Sequence, residues 1–402
     1  MRAFALRALA LSLPVLCTIQ CRSESSLDWV LDRESLQPVT ALLQSSIEAN
    51  AFPGGVLAVG LRDTVEFVAV GNYGDDDSRQ VNDSTVYDLA SLTKVIGLTT
   101  AVMLLVADGA IDLDDPVDRY LPAFAGPGKQ VVTVRHLLTH TAGLESWRPL
   151  YLETETRAEA IDSVMAATLQ SVPGDKYVYS DFGAISLGLV VEQVSGASLD
   201  VFLDNRVFRP LGMEWTRYRP PPEWIDRITP TELDPWREQV VKGEVHDENA
   251  ARLEGVAGHA GLFSIAPDLA KFALWLLDAY HGRLSEESRP FLPAELVQDF
   301  TTRQPGPEGS TRALGWDTPS QTGSSAGTMM SRSYSFGHTG FTGTSIWVDP
   351  DTDLFVILLT NRVHPTRENR EILGLRGPVA DSVVVGLRRQ GRVNGERGTG
   401  NG

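Results

Sequence analysis

Cysteine is almost absent from this sequence of 402 residues, whose two cysteines are Cys17 and Cys21. Both lie in or just after a short apolar segment near the N-terminus, so cleavage beyond them would leave a mature chain without cysteine. A disulfide framework is therefore excluded for such a mature chain. The apolar fraction of 42% and the charged fraction of 22% are those of a globular protein that can bury a large core.

Basic residues are also scarce relative to acidic ones. Lysine and arginine together number 35, against 52 aspartates and glutamates, which gives a formal net charge of −17 at pH 7. Because nucleic acid and anionic lipid repel such a chain, the charge excludes both as partners. The acidic residues are spread along the sequence, with only short clusters such as 75–77, and this distribution favours solubility.

Long hydrophobic runs are missing beyond the N-terminus. The apolar run at 95–106 lies between Lys94 and Asp108, and it is shorter than the roughly 20 residues that span a bilayer. A buried core helix explains this run better than a membrane span.

The first residues have the pattern of an export signal. Arg2 and Arg7 form a basic region before a short apolar core at 8–16, which is the order found in secretory signal peptides. We therefore predict a signal segment at residues 1–26 and an exported, periplasmic or extracellular protein. Cys21 is a candidate lipid-attachment site, because bacterial lipoproteins are cut before such a cysteine, although the residues before it are poor cleavage residues. Plain export and a lipid anchor both stay open, and this anchor is the only membrane contact that we expect.

Helix and strand signals alternate in three blocks along the chain. Residues 27–49 have the helical spacing of apolar residues, and residues 54–71 have the pattern of a β-hairpin. Helical and loop signals follow, with a loop at 304–330 that we predict to be mobile, and strand signals return after residue 334. The simplest assembly is an α+β fold, in which an antiparallel sheet built from both chain ends is flanked by helices and a mainly helical domain is inserted. The predicted domains are a sheet domain at 27–109 and 331–390, a helical domain at 110–330 with loops that line the cleft, and a disordered tail at 391–402.

Ser91 and Lys94 form the first candidate pair for chemistry. Residues three apart on a helix share a face, so both side chains would emerge at the first turn of the apolar helix. A serine nucleophile needs a neighbour that takes its proton, and a lysine can do this or hold another base in place. The helix N-terminus adds N–H groups where an oxyanion would form. Alternatively, both residues are solvated at the start of an ordinary helix, and the short pattern alone fits either interpretation.

A second candidate element is Tyr179-x-Asp181, in a loop that enters a helix near Gly183. A tyrosine hydroxyl can serve as a base if cations stabilise its phenolate. The alternative is that Tyr179 packs in the protein and Asp181 caps the helix.

A third candidate element is His338-Thr339-Gly340, at the edge of the first strand predicted after residue 334. Glycine in such a place lets the backbone approach a ligand closely. Thr339 adds a hydroxyl and His338 a donor. The alternative is a glycine-rich bend of the strand without a role in chemistry.

In chain order, the three elements resemble the S-x-x-K, Y-x-N and K-T-G motifs of the serine β-lactamase and penicillin-binding protein superfamily. The resemblance covers residues 30–390 and points to the branch related to class C β-lactamases, which also holds esterases, D-aminopeptidases and DD-carboxypeptidases. The same resemblance is carried by the segments 87–91, 137–144, 255–264 and 337–344, and by Asp349-Pro350. It implies a β-lactamase/transpeptidase-like fold and an acyl-enzyme mechanism that uses no metal and no cofactor.

The resemblance also implies a role for each residue. Ser91 would be acylated by the substrate, while Lys94 and Tyr179 would move its proton and later activate water. The backbone N–H groups of Ser91 and Phe341 would form the oxyanion hole. The residues implied in substrate binding are Asp181, His338, Thr339 and Gly340.

Two residues depart from the family pattern. Asp181 replaces asparagine, and an ionised carboxylate only accepts hydrogen bonds, so it cannot donate to the side-chain amide of a penicillin. It can hold Lys94 as an ammonium, which favours Tyr179 as the base. His338 replaces lysine and is mostly uncharged at neutral pH, so it holds a substrate carboxylate less strongly. Both changes disfavour efficient β-lactam hydrolysis.

We therefore predict an exported serine hydrolase that cleaves an ester or a D-amino-acid-type peptide or amide bond through a Ser91 acyl-enzyme. Its substrate would be a small molecule or peptidoglycan-like. A DD-carboxypeptidase, a penicillin-binding protein or a weak β-lactamase is the alternative within the same class. An alternative of another class is a sensor of cell-wall fragments that does not turn over. The sequence carries no signal for the oligomeric state.

Other candidate residues fit plainer roles. Ser325 lies in a G-x-S-x-G pattern, but that motif requires a strand before it and a helix after it, whereas this one lies in a polar loop. The segment 246–249 and His259 hold side chains that can bind metal, and we predict that they form a hydrogen-bonded wall of the cleft. His140 and His364 are predicted to be structural.

Overall fold

The structure, a computed structural model, describes residues 29–398, with side chains to residue 388. The predicted signal segment at 1–26, with Cys17 and Cys21, therefore lies outside the described residues, as do residues 399–402.

Most strands of the described chain belong to one antiparallel sheet of six strands. The strands are β1 (Gly54–Leu61), β2 (Thr64–Gly74), β3 (Asp77–Gln80), β4 (Tyr87–Asp88), β5 (Arg217–Tyr218), β6 (Leu233–Asp234), β7 (Gln239–Val240), β8 (Leu262–Ser264), β9 (Phe336–Thr339), β10 (Ser345–Asp349) and β11 (Leu354–Thr360). The order in the large sheet is β3-β2-β1-β11-β10-β9, so its two halves come from the two ends of the chain, as predicted. The central pair, β1 and β11, is buried along its whole length.

Helices occupy both faces of this sheet. The α-helices are α1 (Gln37–Glu48), α2 (Thr100–Ala107), α3 (Val117–Tyr120), α4 (Val134–Leu138), α5 (Leu150–Glu153), α6 (Arg157–Ala166), α7 (Asp181–Ser195), α8 (Leu199–Leu203), α9 (Glu248–Arg252), α10 (Ala266–Tyr280), α11 (Ala294–Thr301) and α12 (Ile372–Gly398). Short 3-10 helices lie at Ala90–Leu92, Pro122–Phe124, Lys129–Val131 and Pro222–Arg227, and π-helices lie at Lys94–Thr99 and Asp204–Phe208.

The sheet separates two apolar cores. One face of the sheet packs against α1 and α12, and leucines and valines of these helices meet alternate residues of β1 and β11 there. The other face packs against α10 and continues into the helices between the two halves of the sheet. This alternation of strand residues between two cores is what the period of two along a strand produces. The α+β architecture follows the prediction, while the domain borders at 109–110 and 330–331 stay a prediction.

Three segments differ from the sequence-based prediction. The first helix begins at Gln37, because Pro38 suits only the first turn of a helix and Asp32 and Ser35 bond each other in a turn before it. The helix α12 continues through 391–398, where a disordered tail was predicted, since it extends a helix that is already anchored by packing. The loop at 304–330, predicted to be mobile, contains the fully buried Trp316 and is attached to β9 by a bridge from Asp317.

A small sheet brings distant segments to the start of the apolar helix. Its order is β4-β8-β5, so β4, which ends just before Ser91, pairs with β8, which follows His259. The helical stretch Ala90–Ala107 is long and apolar enough to cross a membrane, but 83% of it is buried inside the protein, as in the core helix of a globular protein.

Candidate active site

Ser91 sits in a strained turn between β4 and the apolar helix. The preceding residue, Ala90, has a φ of +47°, in the left-handed region that side chains with a Cβ disfavour. Its N–H donates to Oδ1 of Asp88 at 2.8 Å, and the other oxygen of Asp88 accepts the N–H of His246 at 2.6 Å. Asp88 therefore fixes the backbone immediately before the candidate nucleophile.

Lys94 connects the serine to the second motif. Its Nζ donates to Ser91 Oγ at 3.1 Å and to the carbonyl of His259 at 3.0 Å, and it lies 2.8 Å from Oδ1 of Asp181. Burial disfavours the charge of Lys94, but Asp181 and Tyr179 outweigh burial and raise the pKa of Lys94 above its usual range. Lys94 is therefore an ammonium that donates toward Ser91, and it has no lone pair with which to take the proton of the serine.

Two cations lie near the ring of Tyr179. The ammonium of Lys94 lies 4.9 Å from the centre of its ring, and the guanidinium carbon of Arg312 lies 5.3 Å from the same centre. Arg312 is buried, yet Asp317, Tyr177 and Tyr179 keep its pKa above the usual range. Its Nε donates to the hydroxyl of Tyr177 at 3.0 Å. Two cations therefore lie beside the tyrosine of the second motif.

Asp181 does not cap the helix α7. Ser180 holds the cap position, and its Oγ accepts the N–H of Gly183 at 3.0 Å. The N–H of Ser180 in turn donates to Nδ1 of the buried His140 at 3.1 Å, which gives His140 the structural role that was predicted. Because the cap is satisfied by its neighbour, the carboxylate of Asp181 is available for Lys94.

The end of β9 lies against the Ser91 turn. The hydroxyls of Thr342 and Thr344 donate to the carbonyls of Asp88 and Leu89 at 2.8 and 2.9 Å. A Cβ on Gly340 would lie 2.5 Å from the carbonyl oxygen of Leu89, so only glycine allows this approach.

Phe341 therefore follows Gly340 beside the candidate nucleophile. Among the described residues, none accepts a hydrogen bond from the N–H of Phe341. This free donor is what an oxyanion hole requires. The side chain of Phe341 is 48% exposed, and its ring stacks on His246 at 5.7 Å.

His338 is buried in the site and neutral. Its ring lies 6.0 Å from the ring of Tyr179, and its Nδ1 bonds the carbonyl of Thr339 at 2.8 Å. Burial, together with the nearby Arg312 and Lys94, holds the pKa of His338 well below its usual range. Nδ1 must be the donor to that carbonyl, so Nε2 is an acceptor. Thr339 pairs with Ser345 in the sheet and is half-buried.

The two histidines of the predicted cleft wall bond acidic residues. His246 Nε2 lies 2.9 Å from Glu232, and His259 Nε2 lies 2.9 Å from Asp247. Burial disfavours the charge of Asp247, but the neighbouring His259 holds the pKa of Asp247 below its usual range. Among residues 29–398, no group of three or more histidines, cysteines, aspartates and glutamates is placed to hold a metal ion. His364, predicted to be structural, bonds the carbonyl of Thr231 at 2.8 Å.

The structure joins most of the predicted site and leaves one candidate out. Ser91, Lys94, Tyr179, Asp181 and His338 are connected by the contacts above. Ser325 lies in a turn without a strand before it or a helix after it, so its pattern has none of the context of a nucleophile elbow.

Sequence reasoning missed three residues of this site. Arg312 lies in the segment predicted to be a mobile loop, Asp88 precedes the first motif, and Arg376 lies on α12, far along the chain. None is one of the motif residues. Arg312 and Arg376 reach the site through contacts between distant segments, whereas Asp88 bonds the N–H of Ala90, two residues along the chain. The bulky Trp316 was the available signal that residues near 312 are packed, since tryptophan is usually buried.

Comparison with known proteins identifies the family. A model of the β-lactamase family matches residues 39–380. The chain belongs to the β-lactamase family.

One relative and two solved structures show how this family member compares with others. The chain is 31% identical over 310 residues to a protein of Escherichia coli (strain K12) named "Putative D-alanyl-D-alanine carboxypeptidase", and the match covers 70% of each chain. The structure of EstCE1, described as a hydrolase with promiscuous acyltransferase activity, matches with a TM-score of 0.70 at 21% identity over 89% of this chain and 100% of that chain. A class C β-lactamase matches with a TM-score of 0.70 at 18% identity over 88% of this chain and 96% of that one. The structural likenesses show the β-lactamase/transpeptidase-like fold.

The family and the geometry agree on the type of enzyme. The chain is a serine hydrolase. Ser91 and Lys94 form its S-x-x-K pair, and the structure contains the hydrogen bond from Lys94 to Ser91 Oγ.

Two buried histidines make this β-lactamase-family fold sensitive to acid. Burial, with Arg312 and Lys94, holds the pKa of both His140 and His338 well below the usual 6.5. The unfolded chain binds protons there below about pH 6.5 and the folded chain does not, so stability is full above that pH and falls as pH falls. We expect His338→Gln to reduce the loss of unfolding free energy between pH 6.5 and 5.5 by up to about 1 kcal/mol. Urea unfolding at both pH values measures this.

The matched control for this prediction is His281→Gln. His281 lies on the surface and pairs with Asp353 at 3.1 Å. Its replacement makes the same histidine-to-glutamine change outside the buried site, so it measures the effect of the substitution by itself. Equal slopes for the parent and His338→Gln would contradict a neutral buried His338.

Proposed function

We propose that this protein is an exported serine hydrolase that cleaves an ester or a D-amino-acid-type peptide or amide bond through an acyl-enzyme on Ser91. The observation that carries the proposal is the position of the Lys94 ammonium, which is buried and contacts both Ser91 Oγ and Asp181. An ion pair placed there only for stability gains little over apolar packing. Beside a serine, it supports nucleophilic catalysis.

The same geometry selects the base. Lys94 stays protonated, so Tyr179, with two cations near its ring, takes the proton of Ser91 when Oγ attacks the substrate carbonyl. The oxyanion then accepts from the N–H groups of Ser91 and Phe341. Tyr179 returns the proton to the leaving group and later takes one from the water that attacks the acyl-enzyme, as general acid–base catalysis requires.

Two side chains of the site favour a substrate other than a penicillin. Asp181 accepts hydrogen bonds and is committed to Lys94, so it offers no donor to the amide carbonyl of a penicillin side chain. His338 is neutral, so it lacks the charge that would hold a β-lactam carboxylate. An ester without a carboxylate needs neither interaction. Export itself rests on the predicted signal segment at 1–26, and fractionation of cells that express the full chain tests it.

We expect the substrate panel to rank esters first. With p-nitrophenyl butyrate, a D-alanyl-D-alanine peptide and nitrocefin, kcat/KM for the ester should exceed that for nitrocefin by roughly 10²-fold or more, which corresponds to about 2.7 kcal/mol of transition-state binding. Steady-state assays at pH 7.5 measure all three.

The panel also separates the alternatives. Nitrocefin as the best substrate would contradict the proposal in favour of a β-lactamase. A single turnover of every substrate, with a stable mass adduct on Ser91, would favour the sensor. Efficient release of D-alanine with slow ester turnover would place the chain among the carboxypeptidases, the activity in the name of its relative from Escherichia coli.

A further inference from the structure

Arg376 is a buried cation whose side chain ends at the loop after β9, which carries the proposed oxyanion donor. It lies in α12 and is 6% exposed. Its Nη2 donates to the carbonyl of Gly340 at 2.7 Å. Gly340 is the glycine whose carbonyl shares a peptide group with the N–H of Phe341.

No carboxylate in the part of the chain with described side chains compensates this cation. Among residues 29–388, Arg376 has no acidic partner within ion-pair distance. Burial and the neighbouring Arg362 lower the pKa of Arg376 to about 10, so it stays charged at neutral pH. An unpaired buried charge is costly to a fold. Stability therefore does not explain why an arginine occupies this position.

The peptide between Gly340 and Phe341 is set up as a polarised donor. Its carbonyl accepts from Arg376 and, at 3.2 Å, from the N–H of Gly343. Hydrogen bonds to the carbonyl of an amide make the N–H of the same amide a stronger donor, because the bonds polarise one another. Among the described residues, that N–H has no acceptor.

We propose that Arg376 is a positioning residue that acts through the Gly340–Phe341 peptide: it orients and polarises the N–H of Phe341 toward the oxyanion, and its charge adds a fixed positive field there. This inference rests on the proposed function, since it needs an oxyanion to form at Phe341. It predicts that Arg376 stabilises the transition state more than the bound substrate, as electrostatic preorganisation does.

Arg362, which follows β11, is a matched control because its side chain contacts the same loop between β9 and β10. Its Nε donates to the carbonyl of Phe341 at 2.8 Å, which belongs to the next peptide and not to the one with the Phe341 N–H. It is also buried, and burial lowers its pKa to about 10. Arg362 also donates to the carbonyls of Arg367 and Asn369, and its guanidinium lies 4.4 Å from the centre of the Phe341 ring. Its loss therefore removes a buried cation and at least as many contacts as the loss of Arg376, but it leaves the carbonyl of the proposed donor peptide bonded to Arg376.

The test compares R376M with R362M on p-nitrophenyl butyrate. R376M should lower kcat roughly 10- to 100-fold with KM within about two-fold, less than the loss of a whole oxyanion donor. R376M should also lower, by a similar factor, the affinity for a phenylboronic acid, whose adduct with serine is tetrahedral. R362M should lose less than about three-fold in both readouts. Thermal unfolding of both variants shows whether their stabilities match.

Equal losses in R376M and R362M, or a loss in R376M that follows thermal stability while the boronate affinity is unchanged, would overturn the inference. If R376M does not fold, R376K and R362K decide the matter: R376K should lose about five-fold in kcat and R362K less than two-fold, and equal values again overturn it. Failure of the proposed function would give a different result: Ser91→Ala would keep its turnover, whatever the effect of the Arg376 variants.

Discussion

Ser91→Ala should lose p-nitrophenyl ester turnover by roughly 10⁴-fold or more in kcat, because removal of a serine nucleophile leaves only binding and oxyanion stabilisation. Ser91 is the residue whose Oγ accepts from Lys94, and no other described serine has that contact. The variant deletes one hydroxyl, so its fold should be retained. The measurement is kcat for the purified variant at pH 7.5, with a fluorophosphonate probe and intact mass to detect the adduct.

Ser325→Ala is the matched control, because Ser325 is the central serine of the G-x-S-x-G pattern and lies in a turn of the 304–330 segment. It should keep full turnover and take up the probe as the parent protein does. A Ser91→Ala enzyme that still turns over the ester, or a probe adduct that persists in it, would contradict the assignment of the nucleophile. Loss of activity in Ser325→Ala would do the same.

The parts of the site that depend on short spacing were predictable from the sequence. Ser91 and Lys94 are three residues apart, and any helical turn that starts there puts them side by side, even though the observed turn passes from a 3-10 to a π-helix. Asp181 was predicted to hold Lys94 as an ammonium, and the ion pair at 2.8 Å is present. The fold followed from strand signals at both chain ends with helical signals between them.

The parts that depend on distant contacts were not predictable. Arg312 reaches Tyr179 across more than a hundred residues, and Arg376 reaches Gly340 from a helix on the other side of the sheet. An arginine in a polar segment looks solvated, because solvation is its usual state. Only the tertiary fold, which buries these two side chains, makes them cations of the site.

Removal of the ion pair between Lys94 and Asp181 should give the second large effect, and its consequences for stability and for activity can be measured separately. Lys94→Met leaves the carboxylate of Asp181 without its partner in a site where the two side chains are 4% and 16% exposed. We expect a loss of about 3–5 kcal/mol in unfolding free energy, together with roughly a 10³-fold loss of ester turnover because the cation beside Ser91 and Tyr179 is gone. Urea unfolding at pH 7.5 and steady-state kinetics on the same samples measure the two quantities.

The double variant Lys94→Met/Asp181→Asn removes both charges and so separates the two effects. It should regain roughly 2–4 kcal/mol relative to the sum of the single variants, since no charge is left buried alone, while its turnover stays as low as that of Lys94→Met. Asp181→Asn alone completes the cycle. A double variant no more stable than Lys94→Met would show that the pair is too well solvated to matter for the fold. Turnover restored with stability would show that Lys94 serves the structure and not the reaction, because only a structural role is repaired by removing both charges.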